Sequence, residues 1–164
     1  MTLLLSTFDS PIGTLNLIAD EHVLLAANLS SVKALKESLS QEDSLREITS
    51  VKKIPVITDL LTDYFAGDIA ALSAIHVRQT GGHFSQEAWK AMKKIRPGKV
   101  ISYAELAIRA GSSAAIRAAG SACAKNAIVL VVPCHRIVKT GGALGNYAYG
   151  LDKKEWLLRH EGAL

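Results

Sequence analysis

The chain has 164 residues, 49% of them hydrophobic, and a formal net charge of +4, which fits one moderate domain or two small ones able to bury a core. Two cysteines in this length exclude a disulfide-stapled scaffold, and no apolar run approaches the roughly 18 residues needed to cross a membrane. The first residues offer neither a basic n-region nor a small-residue cleavage site, so a reducing home is expected, the cytoplasm, or the nucleus in a eukaryote. The charge is unevenly spread. Residues 1–75 carry 5 Lys/Arg against 10 Asp/Glu and residues 76–164 carry 14 against 5, near −5 and +9. Such asymmetry turns the second half toward a polyanion such as nucleic acid, because Lys and Arg displace counterions from phosphates. Acidic proteins and membranes attract the same surface.

Three short apolar stretches open the chain, near Leu3 to Phe8, Thr14 to Ala19 and Val23 to Leu29. They predict an antiparallel meander. Helical patterns follow from Ser31 to about Leu39 and from Ile57 to Phe65, the second stopping at Gly67, with a Ser-, Glu- and Lys-rich loop between them. No titratable cluster in this half suggests chemistry. The expected organisation is a supporting domain over 1–75, a linker over 76–82 and a second domain over 83–164.

From His83 the pattern is helical. Ser85 is the expected cap, Phe84 and Trp89 a hydrophobic staple, and Ala88, Trp89, Met92 and Ile95 one face. Ser102 and Glu105 form a capping box for a helix reaching about Ala110. Gly111 then opens a turn of about three residues, and Ser112 or Ser113 caps a second helix running to about Lys125. This is helix-turn-helix spacing, although a helical hairpin that never meets DNA would look the same. A last helix spans Asp152 to about Glu161, with Asp152 and Glu155 at capping-box spacing.

Chemistry is expected where Ile128 to Val132, read as a strand, meets Pro133, Cys134, His135 and Arg136. A thiol is a good nucleophile only as thiolate, and a neighbouring base or cation supports that charge. Pro133, lacking an N–H, ends the strand and leaves Cys134 at a turn. A small buried core thiol would use the same residues. Glu155 is either a cap residue or the carboxylate that orients His135 in a Cys-His-carboxylate relay. The loop Gly141 to Tyr147 lacks the Lys-Ser/Thr ending of a phosphate-cradling loop, so its glycines read as turn and pocket-wall positions. The five histidines are scattered and neither cysteine has ligand spacing, so no metal site is expected.

These residues resemble the O6-alkylguanine-DNA alkyltransferases, or methylated-DNA–protein-cysteine methyltransferases. The resemblance rests on VISYAELA at 100–107, IRAAGSACAKN at 116–126, VPCHRIV at 132–138, GALGNY at 142–147 and KEWLLRHEG at 154–162, in that order. The first half is more weakly similar, through Asp9 to Gly13 and Tyr64 to Gly67. The family implies an α/β (α+β) fold, with a small antiparallel sheet and helices, ribonuclease-H-like, followed by a mostly helical, winged-helix-like domain with a helix-turn-helix.

The resemblance also implies roles. Cys134 takes the alkyl group from O6 of guanine, His135 draws off the thiol proton with support from Glu155, Asn126 braces this network, and Tyr103 helps rotate the nucleotide and donates a proton as guanine leaves. Arg117 fills the gap left by the flipped base. Ser113, Ala118, Lys125 and Arg136 join Tyr103 and Arg117 in contacting DNA, Arg136 also holding the site together. Val132, Pro133, Asn146, Tyr147, Ala148 and Tyr149 form the substrate pocket. Tyr149 stands where many relatives have a small residue, and Ala148 where some have serine, so methyl is expected over benzyl-sized groups. The implied partner is double-stranded DNA carrying an O6-alkylguanine, met by a monomer, with cooperative assembly along DNA as an alternative. No membrane, cofactor or metal enters. Transfer to a thioether is irreversible, so each molecule reacts once. A lesion binder without chemistry and a cysteine hydrolase remain as alternatives, and Cys123 is expected to pack in the core.

Overall fold

The computed structural model describes residues 2–164. They divide into two compact units, one running to Thr80 and regaining Ala127–Val131, the other comprising Gly81–Asn126 and Val132–Leu164.

In the first unit, β1 (Leu3–Ser10), β2 (Gly13–Asp20) and β3 (Val23–Asn28) form the expected antiparallel meander. The sheet is larger than the pattern suggested. Its order is β4-β1-β2-β3-β5, with β4 (Ile48–Ser50) parallel to β1 and β5 (His76–Val77) parallel to β3. The region read as a loop therefore contributes an edge strand, and part of the expected linker at 76–82 belongs to the sheet. Strands of two or three residues are too short to show a period of two, and their neighbours supply the pairing energy. Residues Leu15 to Ala19 on β2 are all buried, as are Leu24 to Asn28 on β3, because the central strands are covered on both faces. Within this layer Asn16 Nδ2 donates to Asn28 Oδ1 at 3.0 Å, which satisfies two buried amides against each other. Helix α1 (Val32–Glu37) is capped by the Ser31 hydroxyl, and Leu35 joins Leu3, Ile18, Leu25 and Ala26 in one core cluster. A short α2 (Gln41–Ser44) follows, and α3 (Ile57–Phe65) matches its predicted span.

The segment 127–131 is not a strand. It touches β3 through a single bridge, with Ala27 N–H donating to Ala127 and Val129 N–H to Ala27. Leu130 then turns to φ +73°. Periodicity cannot separate a buried apolar run that pairs from one that merely fills space.

In the second unit, α4 (His83–Lys93), α5 (Tyr103–Arg109) and α6 (Ile116–Lys125) pack on one another. The Trp89 indole N–H donates to Ala122 O at 2.9 Å, joining α4 to α6. Ser102 caps α5 as expected, its hydroxyl accepting from Glu105 N–H at 3.0 Å. Other caps differ. Gly82 precedes α4, so Ser85 lies inside the helix, and Ala115 precedes α6 without a side-chain bond, so neither Ser112 nor Ser113 caps it. The connection between α5 and α6 is six residues, 110–115, rather than three. After α6, a 3₁₀ turn (Cys134–Arg136) leads into β7 (Ile137–Val138), which pairs in parallel with β6 (Ile101–Ser102), and α7 (Leu151–His160) closes the unit. Gly150 precedes α7, so Asp152 is not its cap.

Candidate active site

Pro133 sets the local geometry. Its φ of −84° and ψ of 68° form an inverse γ-turn, closed by Cys134 N–H donating to Val132 O at 2.9 Å. The pyrrolidine ring holds that φ in advance. Cys134 then opens the single turn Cys134–Arg136, with Arg136 N–H bonded to Pro133 O at 3.0 Å. The residue is half-buried. Asn126, just past α6, donates from Nδ2 to Val132 O at 2.9 Å and so pins the γ-turn from outside. Burial pushes the Cys134 thiol above its ordinary range, while the Asn126 amide and the Lys154 ammonium pull it down less strongly. The resting nucleophile is therefore a thiol, and its proton needs a destination.

His135 supplies it. The ring is completely buried, and Nε2 lies 2.9 Å from Glu161 Oε2. Burial lowers the imidazole's pKa more than the Glu161 carboxylate raises it, so the ring is neutral at pH 7. Burial alone would raise the Glu161 carboxyl, but bonds from His135 and Arg136 hold it far below the carboxylate range. An ionised acceptor fixes the tautomer, with the proton on Nε2 and the lone pair on Nδ1. Nδ1 is buried and has no hydrogen-bond partner among the described residues, which leaves it available as a base.

The carboxylate is Glu161 and not Glu155. Glu155 is only partly buried, its side chain 46% exposed, and it pairs with Arg159 at 2.9 Å, one turn along α7. Glu161 caps the end of the helix, where Arg136 Nε and Nη2 donate to its two oxygens at 2.8 and 2.9 Å and Arg136 Nη1 donates to Ile95 O at 2.7 Å. Arg136 is thus consumed by a buried fork-to-fork pair, and the expected DNA contact is withdrawn. A helical stripe was the overlooked signal. Lys154, Leu157, Leu158 and Glu161 follow the i, i+3, i+4, i+7 spacing and are the buried residues of this stretch.

Lys154, also missed, is fully buried. Its ammonium donates to Ile137 O at 2.6 Å and to Asn146 O at 3.0 Å, and lies 5.9 Å from the centre of the Tyr103 ring. It ties β7 to the glycine loop and brings positive charge near Cys134. Tyr103 is half-buried at the start of α5. Burial raises its phenol pKa, so it keeps its proton and can donate it.

Cys134 and Tyr103 share a cleft of about 580 Å³. Helix α6 forms one wall with Ile116, Arg117, Gly120, Ser121, Cys123 and Ala124, and the loop contributes Asn146, Tyr147 and Ala148. Cys123 therefore faces the cleft instead of packing only in the core, and burial pushes its thiol up to about 12, so it stays neutral. Val132 and Pro133 are buried, and Tyr149 meets Tyr147 edge-on at 5.8 Å; the cleft wall is made by other residues. Ser113, Ala118 and Lys125 are exposed near or on α6. Among the described residues no group of three or more His, Cys, Asp or Glu could hold a metal ion, and no helix is long and apolar enough to cross a membrane.

These features define a class first: a protein that presents a cysteine, Cys134, backed by a neutral histidine and a buried carboxylate, in a cleft walled by the second of two consecutive helices. Comparison narrows it. Residues 83–163 match the model of the 6-O-methylguanine DNA methyltransferase, DNA binding domain. The Salmonella typhimurium methylated-DNA–protein-cysteine methyltransferase is 44% identical over 108 residues, which cover 66% of this chain and 63% of that protein. The Homo sapiens protein of the same name is 36% identical over 169 residues, covering 96% of this chain and 79% of its own. The solved structure of Mycobacterium tuberculosis OGT in complex with DNA superposes with a TM-score of 0.79 at 32% identity, covering 98% of this chain and 93% of that one. The chain belongs to the methylated-DNA–protein-cysteine methyltransferase family, and its mixed α/β fold is that of the family's solved members.

Proposed function

We propose that this chain repairs alkylated DNA by moving the alkyl group from O6 of guanine, chiefly methyl, onto its own Cys134, once per molecule. The observation that carries the reading is a half-buried Cys134 on the cleft wall, set beside the buried base His135 that Glu161 orients. The thiol proton passes to His135 Nδ1. Sulfur then attacks the alkyl carbon, an S–C bond forming as the C–O6 bond breaks. Guanine leaves with the electron pair and takes a proton from the Tyr103 phenol, which His135 can later replace. The lesion reaches the cleft only if it is extruded from the stack, which costs a few kcal/mol and is offset by cleft contacts and by Arg117 entering the gap. Ser113, Ala118 and Lys125, exposed around α6, lie against the DNA backbone.

The mixed sheet with its helices supports a ribonuclease-H-like first unit, and the α4–α6 cluster a winged-helix-like second one. The working form is a monomer of the cytoplasm or nucleus. Intact-protein mass after mixing with a duplex containing O6-methylguanine tests the reading. One methyl-sized gain at Cys134, stopping at one equivalent and missing in Cys134→Ala, is expected. Binding without mass change would instead mark a lesion binder, and repeated product release a hydrolase.

A further inference from the structure

Helix α6 presents an uneven outer face to the cleft. Gly120, Ser121 and Ala124 keep it low, so a polymer backbone can come close. Large side chains rise only at its first two residues, Ile116 and Arg117. Ile116 is 48% exposed, and a lone exposed isoleucine would carry no meaning. This one stands on the wall of the cleft that holds Cys134, next to Arg117, the one cation on that wall among the described residues. Extruding a nucleotide uncovers the apolar faces of its neighbouring bases. A guanidinium can fill the gap, stack on a base face and bond to polar edges, but a single planar group leaves some of the newly exposed apolar surface uncovered. An aliphatic side chain beside it can cover that remainder, and proteins that unstack DNA insert such wedges.

We infer that Ile116 is an apolar wedge that packs on the base stack beside the extruded nucleotide, working with Arg117 as a positioning residue. This rests on the alkyl-transfer reading above. It predicts that Ile116 matters in proportion to how much stack must be opened, while the alkyl-transfer step itself does not depend on it.

The test measures single-turnover transfer to Cys134 from three substrates: O6-methylguanine in a duplex, the same strand alone, and the free O6-methylguanine nucleoside. Ile116→Ser should slow the duplex reaction about tenfold or more, given an unstacking cost of a few kcal/mol. It should leave the nucleoside rate within about twofold, and Ile116→Met, which restores an apolar wedge, should recover most of the duplex rate. An equal loss on all three substrates would make Ile116 merely structural and overturn the inference. An unchanged duplex rate would do the same. Failure of the unmodified chain to transfer from any substrate would overturn the alkyl-transfer reading as well, so the two failures are distinguishable.

Discussion

Glu155 and Glu161 sit six positions apart on one helix and have opposite fates. Glu161 is enclosed by His135 and the fork of Arg136, whereas Glu155 meets Arg159 in solvent. Exposed i,i+4 pairs contribute a few tenths of a kcal/mol, but removing one partner of a buried pair strands the other charge. Glu161→Gln should therefore destabilise the chain by about 3 kcal/mol and slow transfer, since the His135 tautomer loses its anionic anchor. Glu155→Gln should shift stability by less than about 0.5 kcal/mol and leave the transfer rate unchanged. Urea midpoints and mass-detected transfer on both variants check this, and equal effects would reverse the assignment. The sequence offered both glutamates. Spacing from Asp152 gave Glu155 a capping role and the family resemblance gave it the carboxylate's, while the buried stripe through Lys154 that runs on to Glu161 pointed to the other residue.

Elements with strong local signals were legible, and those made by pairing were not. α3 and α5 follow from apolar spacing and, for α5, a serine cap, whereas β4 and β5 exist because β1 and β3 present free edges. The apolar run before Cys134 reads as a strand yet folds as turns, with Leu130 at φ +73°. The glycine loop illustrates the same division. Gly145 has φ +78°, and a Cβ there would lie 3.0 Å from the Tyr103 ring and hydroxyl; Gly141 has φ +97°, and a Cβ there would meet nothing within 4 Å among the described residues. Alanine at either position pays left-handed strain of about 1–2 kcal/mol. Only Gly145→Ala also displaces the proton donor, so it should slow transfer well beyond Gly141→Ala at similar stability loss. Matching transfer rates in the two variants would remove Tyr103 from the step.

Across the whole molecule, acid acts on both units in one direction. Glu161, and in the first unit Asp20 and Asp43, are held below the carboxylate range, the two aspartates chiefly by bonds from Arg46 and Arg78 respectively. Burial likewise lowers His135. As pH falls, the unfolded chain takes up protons that the folded chain refuses, first on histidine near about 6.5 and then on carboxyls near about 4, so stability must fall. Urea midpoints at pH 8, 6 and 4 should drop in that order, more steeply in the original chain than in Glu161→Gln over the carboxylate range. A midpoint independent of pH would contradict the buried His135–Glu161–Arg136 arrangement.

The family, the nucleophile, its neighbouring base and the basic second half are written in contiguous residues, because a γ-turn at Pro133, a cap at Ser102 and a run of charge depend on near neighbours. The partner of His135, the burial of Arg136 and Lys154, the place of Cys123 on the cleft wall and the return of 127–131 to the first unit depend on which distant surfaces meet. Desolvation decides those questions. A charged side chain is buried only where another chain segment brings the opposite charge or enough carbonyls to it, and no local spacing records that meeting.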